Sequence, residues 1–167
     1  MTAKNNIILT HLEINHKIKR IAYQIYENNV NEKEIILAGI DKNGYILAKK
    51  LKSVLSKISS IEPKLCKVSI DKKNPRNPIS TSLPVAEYSN KSVILIDDVL
   101  NSGTTLVYGV KHFLDAPLKQ FKTAILVNRN HKKYPVKADF KGISLSTSLH
   151  EHIDVNLEGK VFEAVLK

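Results

Sequence analysis

Short apolar runs alternate along this chain with segments whose apolar residues recur at helical spacing. A helix is predicted over residues 11–28 and a second one after residue 44, because apolar residues there lie three or four positions apart. Residues 35–40 and 65–70 are apolar enough to form buried strands. Strand, helix and strand in this order predict a βαβ unit. The residues that mark the two helices are Ile14, Ile18, Ile21, Ala22, Ile25, Leu47, Leu51, Val54 and Ile58.

The second half of the chain repeats this alternation. It is separated from the first by residues 71–83, which hold two prolines, show no periodicity and predict a mobile loop. No repeat or second domain boundary interrupts the chain, so one α/β domain over residues 1–167 is predicted. The elements expected in this half are strands at 93–96, 123–127 and 138–140, a helix from 106 to 114, and two tail strands at 153–157 and 161–166 around a turn at 158–160.

The junction between the 93–96 strand and the following helix carries the chain's most distinctive residues. Asp97 and Asp98 follow four consecutive aliphatic residues, and a polar loop precedes the helix. Open α/β sheets bind ligands at the carboxyl ends of their strands. Backbone N–H groups at a helix N-terminus, together with the hydroxyls of Ser102, Thr104 and Thr105, favour a phosphate dianion. The junction therefore predicts acids for sugar hydroxyls or a metal, next to a phosphate cradle.

Composition narrows the class of protein. The chain has 167 residues, 43% of them hydrophobic and 25% charged, which is ordinary for a soluble domain. No apolar run approaches the roughly 20 residues of a membrane helix, and the N-terminus lacks a signal-peptide pattern. The single cysteine, Cys66, excludes an internal disulfide, so a cytoplasmic location is expected.

The charge balance is strongly basic. A net charge of +10 and a pI near 9.6 indicate attraction to polyanions, either a phosphorylated substrate or a nucleic acid. For most of these lysines, a solvated lysine-rich surface is the better explanation.

Other sites with paired acids do not fit. A Walker B pair needs a P-loop, and a dinucleotide fold needs Gly-x-Gly-x-x-Gly after its first strand; neither motif occurs. A response-regulator pair would lie near the start of the chain. A plain helix-capping loop explains the serine and threonines but not a doubled aspartate after buried aliphatics. His150-x-His152 could hold a metal, although a turn before a terminal strand explains it too.

Residues 93–105 resemble the 5-phosphoribosyl 1-pyrophosphate (PRPP) motif of type I phosphoribosyltransferases, which has a branched apolar strand, an acidic pair and a loop ending in Ser/Thr-Gly-x-Thr. The resemblance implies a mostly parallel five-stranded sheet flanked by helices, with a small hood formed by the chain termini. It also implies that Asp97 and Asp98 are catalytic and contact the ribose hydroxyls. The residues implied to bind the 5′-phosphate are Asn101, Ser102, Gly103, Thr104 and Thr105.

The same family binds pyrophosphate with the loop after the first core strand. In this chain that loop comprises Asp41, Lys42, Asn43 and Gly44. Relatives often carry an arginine where Asn43 stands, and the loss of a bidentate phosphate donor should weaken binding, with Lys42 a partial substitute. The residues implied to close over the pyrophosphate as a flexible loop are Lys72, Lys73 and Arg76.

Residues 125–142 resemble the base-binding region of one branch, the bifunctional pyrimidine-operon attenuation regulator/uracil phosphoribosyltransferase. That branch has an Arg-Gly-His segment, a proline and a basic-Ala-Asp-aromatic-x-Gly stretch; here Asn130 replaces the glycine and Asn128 replaces an acid. The residues implied to bind the nucleobase are Arg129, His131, Val136, Lys137 and Phe140.

The resemblance implies transfer of a phosphoribosyl group from PRPP to a nucleobase, with uracil expected first. Mg²⁺ would be the cofactor, bound through PRPP near Asp97 and Asp98 rather than by direct protein ligands. The implied partners are PRPP, a nucleobase or nucleoside monophosphate, and further copies of the chain in a dimer or larger oligomer. Two alternatives stay open: a nucleotide-sensing regulator that binds RNA with a weak or inactive site, and a purine-directed transferase.

Overall fold

The computed structural model describes residues 6–167, so residues 1–5, which belong to the segment without a signal-peptide pattern, lie outside it. The chain forms two sheets with helices around the larger one. In chain order the elements are β1 (Asn6–Leu9), α1 (His11–Glu27), β2 (Glu34–Ile40), α2 (Asn43–Ile58), β3 (Glu62–Ser69), β4 (Ser80–Thr81), α3 (Val85–Tyr88), β5 (Ser92–Leu100), α4 (Thr104–Phe113), β6 (Gln120–Arg129), β7 (Phe140–Leu145), β8 (Ile153–Asn156) and β9 (Glu163–Leu166).

The larger sheet has the strand order β4-β3-β2-β5-β6-β7. Five of its strands run parallel: β3, β2, β5, β6 and β7. This confirms the prediction of a mostly parallel five-stranded sheet. The two-residue β4 adds an antiparallel edge next to β3. Residues 71–83, expected to be a loop without regular structure, therefore contain one short strand.

Helices cover both faces of this sheet. On one face, α1 and α2 bury their apolar stripes against alternate residues of β5, including Ile94 and Ile96. On the other face, Phe113 of α4 packs against Tyr88 and against Leu95 of β5. A strand with helices on both sides has no polar face, which explains its continuous apolar run.

The helix predicted over 11–28 is confirmed as α1, and its first turn shows why it starts there. Thr10 and Glu13 form a capping box, in which the Glu13 N–H donates to the Thr10 hydroxyl at 3.3 Å and the Thr10 N–H donates to the Glu13 carboxylate at 2.8 Å. The capping box satisfies two N–H groups that a helix start would otherwise leave unpaired.

The smaller sheet has the strand order β1-β9-β8 and combines both ends of the chain, as the predicted hood does. The two tail strands form an antiparallel hairpin around residues 157–162. Strand β1 was not predicted as an element, because its four residues show no periodic pattern of their own. The hood rests on α1, where the Phe162 N–H donates to His11 Nδ1 at 2.9 Å.

None of the helices in residues 6–167 has both the length and the apolar character needed to cross a membrane.

Candidate active site

The acidic pair lies inside β5 rather than after it. Strand β5 pairs with β2 only as far as Ile96 but continues beside β6 to Leu100. Beyond Ile96, one edge of β5 is therefore free of a strand partner, and the acids lie next to that opening. Asp97 is buried, with 4% of its surface exposed, and Asp98 is half-buried.

The burial of Asp97 changes its acidity. Desolvation, followed by the nearby negative charge of Asp98, raises the pKa of Asp97 from its ordinary value of 3.8 to about 8. The Lys72 ammonium, 3.7 Å from Asp97 Oδ1, and the Asp98 N–H, 3.0 Å from the same oxygen, oppose this rise. Burial therefore favours the protonated form of Asp97 in the folded protein.

The loop predicted to hold a 5′-phosphate connects β5 to α4. Only residues 101–103 are loop, because α4 already begins at Thr104, two residues before the predicted start. Gly103 has φ +87°, a conformation that disfavours side chains, and a Cβ there would lie 2.7 Å from Val136 Cγ1. The Ser102 and Thr104 hydroxyls lie 2.8 Å apart.

All five predicted phosphate-binding residues line one cavity of about 300 Å³. Both acids of β5 and Lys72 line it as well, and Ile153 of the hood closes one side. The cavity thus joins the acidic pair to a helix N-terminus, as the junction in the sequence predicted. Its lining comprises Lys72, Asp97, Asp98, Val99, Leu100, Asn101, Ser102, Gly103, Thr104, Thr105, Leu106 and Ile153.

A second cavity of about 440 Å³ adjoins the first and shares Lys72 and Asp98 with it. Of the four predicted pyrophosphate-binding residues, the first three line it. The loop between β2 and α2 is shorter than expected, because Asn43 and Gly44 already belong to the first turn of α2. The lining comprises Asp41, Lys42, Asn43, Lys72, Asp98, Val155, Asn156 and Glu158.

Gly44 lies against β5 instead of facing the second cavity. A Cβ at Gly44 would lie 2.5 Å from the Ile96 carbonyl oxygen and 3.0 Å from Asp97 Cα. Only glycine allows the start of α2 to approach the acidic pair this closely, so Gly44 determines how near the two loops lie.

Asn43 connects three parts of the site. Its Nδ2 donates to Asp98 Oδ2 at 2.9 Å and to the Val155 carbonyl at 3.0 Å. Asn43 therefore connects Asp98, which is predicted to be catalytic, to hood strand β8. Lys42 contacts the hood as well, and its hydrogen bond to Glu158 raises the pKa of Lys42 above its ordinary value.

The predicted flexible-loop residues are placed differently from one another. Lys72 lines both cavities, whereas Arg76 lines a separate cavity beside α4, and Lys73 lines none of the three. The Asp71 carboxylate accepts the N–H groups of Lys73 and Asn74 at 2.9 and 3.2 Å, so the start of this segment forms an ordered turn. Those bonds lower the pKa of Asp71.

Arg129, predicted to bind the nucleobase, is buried with 6% of its surface exposed. Its guanidinium donates to Asn101 Oδ1 and Thr147 Oγ1, both at 2.9 Å, and to the carbonyls of Ser148 and Glu151 at 3.1 and 2.9 Å. Four of its five donors are thus used within the protein. Its side chain joins the phosphate loop to the segment that precedes the hood.

The other predicted base-binding residues surround the same end of the sheet. His131 Nε2 contacts the Thr147 carbonyl, Val136 packs against Gly103, and Phe140 is buried in the core. The Lys137 carbonyl accepts the Thr123 hydroxyl at 2.5 Å, and its side chain is exposed. None of these four residues, nor Arg129, lines either cavity, so their contact with a base stays a prediction.

The sequence interpretation missed the hood residues that line the site: Ile153, Val155, Asn156 and Glu158. These residues form no motif. The only signal that could have indicated them is that the tail strands follow the predicted parallel sheet in the sequence. Within residues 6–167, no group of three or more His, Cys, Asp or Glu side chains is arranged to hold a metal ion.

Comparison with known proteins agrees with this geometry. The phosphoribosyl transferase domain family matches residues 4–159. The bifunctional protein PyrR of Fusobacterium nucleatum is 34% identical over 95% of this chain and 94% of its own. That of Streptococcus mutans is 32% identical over 92% and 89%.

Solved structures show the same fold. The hypoxanthine phosphoribosyltransferase of Trypanosoma cruzi superposes with a TM-score of 0.79, covering 96% of this chain and 95% of that one at 15% identity. The hypoxanthine-guanine phosphoribosyltransferase of Bacillus anthracis gives 0.71, with 87% and 84% covered at 20% identity. With the family model matched over most of its length, the chain belongs to the type I phosphoribosyltransferases, a family of transferase enzymes, and is similar to the bifunctional PyrR proteins within it.

Proposed function

We propose that this protein transfers the phosphoribosyl group of PRPP to a nucleobase and releases pyrophosphate. Uracil is the base we expect. The observation that carries the proposal is the pair of adjoining cavities that meet at Asp98 and Lys72. PRPP carries a phosphate at one end of its ribose and a pyrophosphate at the other. One cavity ends at a helix N-terminus and the other at the lysine-bearing loop, so a ribose between them would lie over the acidic pair.

The chain's own groups then have distinct tasks. The N–H groups and hydroxyls of residues 101–105 hold the 5′-phosphate and fix the position of the ring. Asp98, and Asp97 once it ionises, accept hydrogen bonds from the ribose hydroxyls. Their negative charge stabilises the positive charge that develops on the sugar carbon. Lys42 and Lys72 face the departing pyrophosphate. The hood excludes water, which would otherwise hydrolyse PRPP.

The lining is suited to Mg²⁺, because Asp41 and Asp98 supply hard oxygen donors. When bound with PRPP, the ion would neutralise charge on the leaving pyrophosphate. Asp41 and Asp98 would hold it through water and the substrate, in keeping with the prediction of no direct protein ligands.

The test is release of pyrophosphate from PRPP and Mg²⁺ with uracil, hypoxanthine or guanine in turn. Release with uracil alone supports the proposal, and release with a purine reassigns the base. The Asp97→Asn, Asp98→Asn double variant should retain its circular dichroism spectrum and lose PRPP binding by calorimetry. Unchanged PRPP affinity in that variant contradicts the site assignment.

A second candidate function is a nucleotide-sensing regulator that binds RNA and turns over slowly. Two observations favour it: the net charge of +10, and Asn43 at the position of a phosphate-binding arginine, where it bonds to Asp98 instead. RNA affinity that falls steeply as salt rises, with no pyrophosphate release for any base, would support this function over the first. Restoring the arginine by Asn43→Arg would then increase pyrophosphate affinity.

A further inference from the structure

The pyrophosphate loop is bonded to the hood by two adjacent residues. Lys42 Nζ lies 2.8 Å from Glu158 Oε1, and the Asn43 side chain donates to the Val155 carbonyl at 3.0 Å. Both hood residues line the pyrophosphate cavity. The hood wall of this cavity is therefore bonded to Lys42, one of the two lysines that line it.

Glu158 is presented to Lys42 by the turn that carries it. The Glu158 N–H donates to Asn156 Oδ1 at 3.0 Å, and Gly159 takes a left-handed φ of +75° directly after it. An Asn side-chain turn followed by a left-handed glycine fixes the direction of the chain between β8 and β9. The glutamate is held over the cavity by local geometry, not by packing.

Acidic side chains outnumber basic ones around this cavity, which disfavours the binding of a polyanion. Its lining holds three carboxylates, those of Asp41, Asp98 and Glu158, and only two ammonium groups. Lys42 Nζ lies within salt-bridge distance of the Glu158 carboxylate, and Lys72 Nζ lies 3.7 Å from Asp97 Oδ1. A pyrophosphate entering here must compete with Glu158 for Lys42. A ligand that fills only the neighbouring phosphate cavity meets no such competition.

We propose that Glu158 is a specificity-determining residue, which lowers affinity for pyrophosphate-bearing ligands relative to nucleoside monophosphates by holding Lys42. The inference rests on the proposed function, since it assigns the two cavities to the two ends of PRPP. It concerns the balance between substrate and product in the same site. A protein biased in this way retains its product nucleotide at PRPP concentrations that would otherwise displace it.

The experiment measures binding of Mg²⁺-pyrophosphate, PRPP and uridine monophosphate by calorimetry at low ionic strength, where exposed charges are least screened. Glu158→Gln removes the charge and keeps the side-chain size. Pyrophosphate and PRPP should bind about two- to fivefold more tightly, the range typical of an exposed ion pair, and the monophosphate should bind unchanged. Glu163→Gln is the matched control, because Glu163 is exposed on the same hood sheet and lines neither cavity.

A double-mutant cycle with Lys42→Met separates competition for Lys42 from simple repulsion by Glu158. If the glutamate acts by holding the lysine, the gain from Glu158→Gln disappears when Lys42 is absent. An equal gain in both backgrounds, an equal gain for the monophosphate, or no gain at all would overturn the inference. If the wild type binds neither PRPP nor pyrophosphate, the proposed function fails with it; if it binds both and Glu158→Gln changes neither, only the inference fails.

Discussion

Replacing Asp97 by asparagine should stabilise the fold at alkaline pH while removing function. Asp97 is buried, and its pKa rises from 3.8 to about 8 on folding. A carboxyl whose folded pKa exceeds its unfolded pKa binds more protons in the folded state. The free energy of unfolding therefore falls as the pH rises through this interval, and the loss is complete above about pH 8. Asparagine carries no proton to lose, so the variant lacks this contribution.

The magnitude follows from the interval. Between 3.8 and about 8, at about 1.36 kcal/mol per pH unit, the ionised Asp97 costs about 6 kcal/mol of the free energy of unfolding. The advantage of Asp97→Asn over wild type should be near zero at pH 4, partial at pH 6 and largest at pH 8.5. Asparagine can retain the bond from the Asp98 N–H, because its Oδ1 can occupy the position of Asp97 Oδ1.

The assay is urea unfolding of wild type and Asp97→Asn at pH 4, 6, 7 and 8.5, with midpoints and slopes compared. Asp154→Asn is the control, because Asp154 is an exposed carboxylate on β8 outside both cavities. A stability difference that does not grow with pH refutes the reasoning, since burial of an ionised carboxylate would then not be its source.

Three further predictions concern the same site. PRPP affinity of the wild type should rise with pH up to about 8 and level off, because an ionised Asp97 accepts a hydrogen bond from a ribose hydroxyl more strongly than a protonated one. Calorimetry in two buffers of different ionisation enthalpy should then show proton release, and a pH-independent affinity would contradict this. Arg129→Met should lower the free energy of unfolding by about 3 to 5 kcal/mol, because four acceptors lose their donor in a buried site, and stability within 1 kcal/mol of wild type would disprove that role. Gly44→Ala should cost about 1 to 3 kcal/mol by chemical unfolding and weaken PRPP binding, because its Cβ must displace α2 from β5; unchanged stability and PRPP affinity would contradict the close approach.

The sequence predicted the parallel sheet and the loop that precedes α4 because their signals are local. Residues 93–96 are apolar on every position, as burial between two helical layers requires, and the acids and hydroxyls that follow are contiguous. The boundaries were harder to predict. Strand β5 continues through Asp97 and Asp98 because β6 pairs with it there, and that pairing depends on a neighbour and not on the polarity of the acids.

The hood residues that line the site could not be predicted from local sequence patterns. Asn43 bonds to a carbonyl 112 positions away, and β1 finds its partner β9 at the opposite end of the chain. Neither contact leaves a periodic or compositional mark on the residues involved. The base-binding segment shows the converse: the resemblance implies that Arg129 binds the nucleobase, whereas four of its donors bond to the protein itself, so its contact with a base stays a prediction.

The hood has a consequence for how the protein matures. Strand β9, which the ribosome makes after every strand of the parallel sheet, lies in the middle of the three-stranded sheet, between β1 and β8. A nascent chain can therefore pair its parallel strands before β1 has a strand to pair with. The pyrophosphate side of the site therefore stays open until residues 163–166 emerge and join the two ends of the chain. The pairing of β9 with β1 and β8 is therefore the step that completes the hood over the pocket.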